Sequence, residues 1–508
     1  SLDLQNVLSC SCHESWMSYP LGFTARDLDI NVALPEVDGR VFTRAFAFKD
    51  ASAYDGRVET NIVQHKSAPD RVAFIADLAR NWAMLRKTPA SQRKVALVLA
   101  NYPNRDGRLG NGVGLDTPAG TVRVLSALGA AGYRLAEFPA NGDDLVRHLQ
   151  EGPTNSGNEG RVIRVRYRLD DYKAASAGLP EKIRTEIEAK WGAPEEDPYH
   201  LDGDFALPLS AFGNVIIGIQ PARGYNIDPV ETYHSPDLVP PHGYLAFYLY
   251  LREEFGVQAI IHMGKHGNLE WLPGKALALT EACYPEAVFG PVPHLYPFIV
   301  NDPGEGSQAK RRTSAVIIDH LTPPLTRAES YGPLRDLEAM VDEYYDASGN
   351  DPRRLVLLKK QILDLIEDIG LHEDAGIARE DEENVKLEKL DGYLCELKEL
   401  QIRDGLHIFG ESPGGRLATD FAIALPRVPR GDSEGLNQSL QRAIAMDLEL
   451  GFDPLDCDMA SPWEGPRPSI LRDVADDPWR SSGDLVERIE LLCAKLVAGD
   501  LECPADWQ

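Results

Sequence analysis

The run KVALVLA at residues 94–100 decides the fold class of this chain. It is short, continuous and apolar, as expected of a strand buried on both faces of a parallel sheet. A polar, glycine-rich loop follows at residues 101–117, and Pro118 then occupies a favourable first position for a helix that continues to Ala130. Residues 133–137 are the predicted next strand. This order of strand, loop, helix and strand predicts a parallel α/β unit.

A second unit of the same kind follows further along the chain. The run VIIGI at residues 215–219 predicts a strand, residues 241–255 a helix, and residues 257–261 another strand. Two more strands are predicted at residues 295–300 and 315–318, with a helix between them. The fold class is therefore α/β and multidomain, with parallel α/β units and an added helical region.

A chain of 508 residues exceeds the size of one hydrophobic core, so several domains are expected. Leucines and isoleucines at helical spacing after residue 351 predict a helix to residue 369, and residues 385–402 its antiparallel partner. The predicted division is an α/β domain with the glycine-rich loop at residues 1–150, an insertion at 151–204, an α/β core at 205–330, a helical pair at 331–410 and a mainly helical segment at 411–508.

The composition excludes some classes of function. A formal net charge of −27 argues against a nucleic-acid partner, because polyphosphate binding requires a positive surface. No apolar run reaches the roughly 18 residues that span a bilayer, and the N-terminus does not resemble a secretory signal. Seven cysteines without paired spacing favour a reducing cytoplasm. Because the chain does not begin with Met, we expect it to be truncated.

The segment IHMGKHGNLEWLPGK at residues 261–275 concentrates titratable side chains where a buried strand ends. In open α/β sheets this edge is where ligands bind. His262, His266 and Glu270 could bind a divalent metal or move protons near neutral pH, and Lys265 lies among them. The alternative is that the histidines hydrogen-bond neighbouring loops and the glycines make turns.

Gly274 and Lys275 superficially resemble the end of a phosphate-binding loop. That loop requires a glycine five residues before its last glycine and a hydroxyl residue after the lysine. Leu269 and Ala276 occupy those positions. We therefore expect no ATP hydrolysis through a Walker-type site in this chain.

Three further segments carry candidate substrate-binding residues. Glycines precede a predicted helix at residues 301–312, where Arg311 and Arg312 could hold carboxylates, or simply form a solvated basic turn. The other two segments follow predicted strands, and several convergent aromatic and polar loops suit a flat macrocycle. The candidates in these two segments are Asn101, Arg105, Arg223, Tyr225 and His242.

Together these segments resemble the cobaltochelatase large-subunit family, of the CobN type, and more distantly the large subunit of magnesium chelatase. The resemblance runs from about residue 31 to the C-terminus. The segments that carry it are residues 101–118, 262–275, PHLYPFIVNDPGEG at 293–306, 319–335 and 401–409. Family members are much longer, so the resemblance implies that this chain is a fragment.

The resemblance implies an enzyme that inserts cobalt(II) into hydrogenobyrinic acid a,c-diamide, a corrin precursor. It also implies that ATP is hydrolysed by a separate AAA+ subunit, accompanied by a subunit with an integrin-like domain. We expect Glu270 to act as base or metal-delivering carboxylate, assisted by His262 and His266. Two alternatives remain open, namely a magnesium chelatase large subunit acting on protoporphyrin IX and a non-catalytic tetrapyrrole carrier.

Overall fold

The computed structural model describes most of the chain. The described residues are 2–101, 109–112, 115–224, 237–264, 267–298, 303–320, 352–369, 407–427 and 439–504, with isolated positions between 337 and 393 and at 429 and 507. The chain forms two compact units. The first is Ser1–His320 with Ile408–Gly410, and the second is Leu321–His407 with Glu411–Gln508.

The first unit contains both strands and helices. Its described strands are β1 Leu4–Ser9, β2 Val41–Asp55, β3 Thr60–Ser67, β4 Val95–Leu99, β5 Asn111–Gly112, β6 Leu115–Asp116, β7 Val165–Arg168, β8 His200–Leu201, β9 Asp204–Leu207, β10 Leu209–Phe212, β11 Val215–Ile219, β12 Ala259–Met263, β13 His294–Phe298 and β14 Val316–Asp319. Its α-helices are α1 His13–Ser18, α2 Ala25–Leu28, α3 Leu34–Val37, α4 Pro69–Lys87, α5 Thr117–Ala130, α6 Gly142–Gln150, α7 Leu169–Ser176, α8 Glu181–Trp191, α9 His242–Leu249, α10 Tyr284–Phe289 and α11 Pro303–Thr313. Short turns of π- or 3-10 helix lie at Asp29–Ala33, Ala90–Gln92, Pro194–Glu196, Tyr250–Phe255 and Leu269–Trp271.

The central sheet has the strand order β10-β11-β4-β12-β13-β14. β10 pairs with β11 in antiparallel fashion, and all the other neighbours are parallel. Leu97 in β4 lies opposite Ile217 on one side and Ile261 on the other, and all five residues of β4 are buried. The prediction of a parallel α/β fold from residues 94–100 is confirmed.

Helices cover both faces of this sheet. On one face, α5 contributes Val122 and Leu125 to a core that includes the odd-numbered residues of β4. On the other face, α9 and α10 pack against Ala96 and Val98. Alternate residues of each strand therefore enter different cores, which explains the continuous apolar runs of the sequence.

The helix after β4 begins as its sequence predicts. The Asp116 side chain accepts a hydrogen bond of 2.9 Å from the Ala119 amide and caps the first turn. Pro118 lies in that turn, where its missing N–H costs nothing. The helix ends at Ala130, as expected.

Two predictions about secondary structure need correction. Residues 133–137 form no strand, although the Arg134 carbonyl accepts a hydrogen bond from the Asn214 amide. Their apolar side chains pack on the core beside β11 without entering the sheet, which an apolar pattern alone does not distinguish from a strand. The strand predicted at residues 257–261 lies at Ala259–Met263.

The predicted insertion at residues 151–204 contains the expected helices, α7 and α8, together with β7 and β8. β7, β9 and β8 form a small antiparallel sheet. Tyr172, Ile183 and Ile187 are buried in the same core as α9. The segment is thus an integral part of the first unit.

The N-terminal residues add a three-stranded sheet in the order β1-β2-β3. It is joined to the rest of the unit by a buried ion-pair cluster. Glu286 of α10 accepts hydrogen bonds from Arg44 at 2.6 Å and from Arg71 at 2.7 and 2.8 Å. All three side chains are at most 5% exposed, and Asp70, which pairs with Arg71 at 2.8 Å, supplies the second negative charge.

The second unit is helical in its described parts. Its α-helices are α12 Pro352–Ile369, α13 Arg416–Arg427, α14 Leu440–Asp447, α15 Ser469–Arg472 and α16 Ser482–Ala498. The first helix of the predicted pair is thus present, whereas most of residues 385–402 lie outside the described residues. Ser481 and Asp484 form a capping box at the start of α16.

Among the described helices of both units, none combines the length and the apolarity that crossing a membrane requires. The finer five-part division of the chain stays a prediction.

Candidate functional site

The carboxyl edge of the central sheet carries most of the candidate residues that the structure describes. Asn101 follows β4, Arg223 follows β11, His262 lies near the end of β12, and Glu270 lies in the 3-10 turn Leu269–Trp271 just beyond it. The remaining candidates of these loops, Arg105, Tyr225, Lys265 and His266, lie outside the described residues.

Glu270 is a buried carboxylate in this edge, with 1% of its surface exposed. The Tyr296 hydroxyl, on β13, donates a hydrogen bond of 3.0 Å to Glu270 Oε1. The same hydroxyl oxygen accepts the Gly267 amide at 2.6 Å. One phenol therefore fixes both the carboxylate and the main chain three residues before it.

The main chain around Glu270 is also held from the side of α11. The Arg312 guanidinium donates to the carbonyl oxygen of Glu270 and, at 3.1 Å, to that of Lys275. Burial lowers the pKa of Arg312 to about 10, because removal from water disfavours its charged form. Arg312 thus braces the loop that carries the carboxylate.

Asn268 fixes the beginning of this turn. Its amide N–H donates to Gln220 Oε1 at 3.0 Å, and its side chain donates to the Pro221 carbonyl at 2.8 Å. Its Oδ1 accepts the Tyr244 hydroxyl at 2.7 Å. Glu270 therefore sits on a loop whose polar groups are bonded to three different elements, a preorganised arrangement typical of sites that act on a bound group.

His262 lies in the same region but has a different environment. It is 2% exposed, and its Nε2 accepts the Tyr248 hydroxyl at 3.0 Å. Its Nδ1–H donates to His294 Nε2 at 2.8 Å. His294 Nδ1–H in turn donates to the Thr313 hydroxyl at 2.8 Å.

The ends of this chain of hydrogen bonds fix its direction. The Thr313 hydroxyl donates to the Ala309 carbonyl at 2.7 Å, so it can only accept from His294. At the other end His262 Nε2 carries no proton and accepts from the Tyr248 hydroxyl, whose oxygen accepts Gln220 Nε2 at 3.0 Å. Both histidines are neutral, each with its proton on Nδ1.

Burial keeps them neutral. It lowers the pKa of His262 to about 3 and that of His294 well below its usual value, where the neighbouring imidazole adds to the effect. Both ring nitrogens of His262 are thus engaged, and its predicted role as metal ligand or proton acceptor requires breaking a bond in this array. In this structure His262 thus supports the sheet edge, and the reactive role of His262, His266 and Glu270 stays a prediction.

The other predicted binding residues have defined partners. Arg311 makes a bidentate ion pair with Glu36, at 2.9 and 3.1 Å. His242 accepts the Tyr172 hydroxyl at 2.6 Å and donates to the Gly192 carbonyl at 3.0 Å, so it packs between α7 and the end of α8. The Arg223 guanidinium donates to the Trp271 carbonyl at 2.9 Å, beside Glu270. Of these three, only Arg223 contacts the loop of Glu270 in the described contacts.

Sequence reasoning missed the residues that support the site. Tyr296 and His294 lie in β13, and Gln220 follows β11. A single polar residue in or beside an apolar strand was the only sequence pattern that could have indicated them. Within the described ranges, no group of three or more His, Cys, Asp or Glu side chains is arranged to hold a metal ion. The predicted metal set includes His266, which lies outside those ranges.

A mainly parallel α/β sheet with a buried, firmly held carboxylate at its carboxyl edge is typical of α/β proteins that bind a ligand at that edge. The chain matches the CobN/Magnesium Chelatase family over residues 4–506. It therefore belongs to that family.

Individual relatives agree with this assignment. The chain is 65% identical to the aerobic cobaltochelatase subunit CobN of a Sinorhizobium species and 52% identical to that of Pseudomonas aeruginosa, in each case over 99% of this chain and 41% of the relative. Its structure is similar to that of the catalytic subunit of cobaltochelatase from Mycobacterium tuberculosis, with a TM-score of 0.68 and 35% identity over 98% of this chain and 40% of that one. The chain thus spans about two fifths of the length of these relatives.

Proposed function

We propose that this chain is part of a cobaltochelatase subunit that binds a corrin precursor, hydrogenobyrinic acid a,c-diamide, and inserts cobalt(II) into it. The observation that carries the proposal is the Glu270 carboxylate, which is buried at the sheet edge and accepts the Tyr296 hydroxyl, while Arg312 holds the main chain of the same residue. The names of the relatives support cobalt as the metal.

The chemistry of insertion explains why a buried carboxylate is needed. The cation must lose water, and the inner N–H protons of the ring must leave as its nitrogens bind the metal. A carboxylate can accept such a proton or hold the cation as it is passed to the ring. Because Glu270 is fixed on its loop, it needs no reorganisation at that step.

Other residues have narrower roles in this proposal. His266 would assist Glu270 in binding the metal, and Asn101, Arg105, Arg223, Tyr225 and Lys265 would contact the ring or its side chains. Arg311 and Arg312 were predicted to hold peripheral carboxylates of the ring. Arg312 instead braces the Glu270 loop, and Arg311 would have to exchange Glu36 for the ligand.

The energy source is proposed to lie in another subunit. Residues 269–276 depart from the Walker pattern at two positions, which supports ATP hydrolysis by an AAA+ partner together with its companion that has an integrin-like domain. A cytoplasmic location is part of the same proposal.

Substitution of Glu270 by glutamine tests the catalytic role. In a chain extended to the length of its relatives and combined with the ATPase partners, Glu270→Gln should lower the rate of cobalt insertion at least about 100-fold, as expected for loss of a general base. Corrin affinity, measured by fluorescence quenching, should stay within about threefold of the parent protein, because the amide keeps the shape of the carboxylate.

Glu188→Gln is the matched control, since Glu188 is exposed on α8. An unchanged insertion rate in Glu270→Gln would remove Glu270 from the mechanism. A parent protein that binds the corrin but never inserts metal would favour the non-catalytic carrier. If the parent protein binds protoporphyrin IX more tightly than the corrin and inserts magnesium into it, the magnesium chelatase alternative is favoured.

A further inference from the structure

The central sheet changes the direction of its connections at β4. The chain leaves β4 for α5, which packs on one face of the sheet. It leaves β11 for α9 and β12 for α10, which both pack on the opposite face. Adjacent strands whose connections depart to opposite faces leave a crevice between their carboxyl ends, the usual ligand position in open α/β sheets.

Two buried polar side chains lie at this crevice without partners. Asn101 follows β4 and is 4% exposed, and Thr117 begins α5 and is fully buried. Within the part of the chain that the structure describes, neither amide atom of Asn101 nor the hydroxyl of Thr117 makes a hydrogen bond. Buried polar groups in native proteins are nearly always bonded, so unbonded ones require an explanation.

Gly264, directly after β12, lies close to the end of β4 and to the start of α5. Its φ of 100° is one that other residues rarely adopt. A Cβ there would lie 2.9 Å from Thr117 Oγ1 and 3.3 Å from the Ala100 side chain. A side chain at residue 264 would therefore press on the Thr117 hydroxyl and on the end of β4.

The chemistry of these groups identifies the ligand. The Asn101 side chain offers one acceptor and an NH2 donor side by side, and a primary amide presents the complementary pair. A carboxylate only accepts, so it would leave Asn101 Oδ1 unmatched. An anion beside Thr117 would also be disfavoured by the carboxylate of the preceding residue, Asp116, which caps α5. We propose that the β4–β12 crevice binds a primary amide of the ligand and so selects amidated over non-amidated rings.

This inference rests on the proposed function, because the amide would be one of those at the periphery of the corrin precursor. It assigns Asn101 a role in specificity that differs from the chemistry at Glu270. A site built to bond an amide rejects an analogue that leaves its buried polar groups unpaired.

The test compares hydrogenobyrinic acid a,c-diamide with hydrogenobyrinic acid, which carries carboxylates in place of the two amides. Binding to the chain extended to the length of its relatives is measured by fluorescence quenching. The parent should prefer the diamide by about tenfold or more, the effect of one well-made pair of buried hydrogen bonds. Asn101→Leu and Asn101→Ala should each reduce that preference to about threefold or less.

A stability measurement separates recognition from structure. Because the Asn101 amide has no bond to lose, Asn101→Leu should leave the thermal midpoint unchanged or raise it. Asn155→Leu is the matched control, since the Asn155 side chain donates to the Gln220 carbonyl at 2.9 Å and accepts the Ala222 amide at 2.8 Å. This control should lower the midpoint.

Each outcome decides the inference. A preference that survives in both Asn101 variants overturns it, as does a loss of stability in Asn101→Leu equal to that in Asn155→Leu. If the parent binds both rings equally, the inference fails while the proposed function stands. If the parent binds neither ring, the proposed function fails and the inference with it.

Discussion

The carboxyl edge of the central sheet has two parts that differ in their hydrogen bonding. Around Glu270, the polar groups of the loop are bonded to Tyr296, Arg312 and Gln220. At the β4–β12 crevice, the side chains of Asn101 and Thr117 are buried and unbonded among the described residues. The main chain of the first part is held in place before a ligand arrives, as suits a reactive group that must not move. The second part is completed only by the ligand.

The largest expected effect on stability comes from removing the Glu286 carboxylate, which pairs with Arg44 and Arg71. Glu286→Gln leaves Arg44 and Arg71 buried without a counter-ion on α10, and should lower the free energy of unfolding of the first unit by about 3–5 kcal/mol. Arg44 also contacts the Arg312 carbonyl at 3.5 Å, so the Glu270 loop should loosen with it. Urea denaturation with hydrogen exchange of the first unit measures both effects.

Asp50→Asn is the control for this substitution. It removes an ion pair with Lys66 in which both side chains are largely exposed, and such pairs add little to stability. Equal midpoints for Glu286→Gln and the parent would mean that the buried cluster does not hold the N-terminal sheet in place.

The second effect is a dependence on pH that arises from the histidine pair. His262 has a pKa of about 3 in the folded protein and about 6.5 when unfolded. Above pH 6.5 the histidine is neutral in both states, so it does not change the free energy of unfolding. As the pH falls toward 3, the unfolded chain binds a proton that folded His262 excludes, and the free energy of unfolding falls by up to about 1.4 kcal/mol per pH unit. His294, whose pKa is also lowered, changes stability in the same direction.

Urea midpoints of the first unit between pH 7.5 and 5 would measure this slope. His294→Gln should flatten it by removing one of the two titrating groups, whereas His65→Gln, on exposed β3, should leave it unchanged. A slope that is the same in all three proteins would mean that the buried pair does not resist protonation.

The smallest expected effect on stability comes from a substitution of Tyr296, which also tests whether this phenol positions Glu270. Tyr296→Phe removes the partner of the Gly267 amide and one bond to Glu270, and should lower the free energy of unfolding by about 1 kcal/mol. If the phenol positions the carboxylate, kcat for cobalt insertion should fall about tenfold while KM stays near its parent value. Tyr54→Phe, on the exposed end of β2, is the control, and an unchanged kcat for Tyr296→Phe would limit the phenol to a structural role.

The sequence predicted the parts of the molecule in which one local pattern determines one structure. The apolar run at residues 94–100 defined a central parallel strand, and Asp116 with Pro118 defined the start of α5. The loop of residues 261–275 was correctly placed at a strand end. The hydrogen-bond partners of His262 were not predicted, because Tyr248 and His294 are 14 and 32 residues away along the chain and no local pattern reports such contacts. For the same reason Arg311 could not be foreseen as the partner of Glu36.

The one-way order of the hydrogen bonds from Gln220 to Ala309 has a consequence for proton traffic. Each hydroxyl and each imidazole in that row uses its only polar hydrogen to donate to the next group toward Ala309. A proton could travel along it by relay only if each group then turned over to restore the starting state, which close packing opposes. These hydrogen bonds therefore hold the two imidazole rings in one orientation and do not suit repeated proton transfer through the sheet.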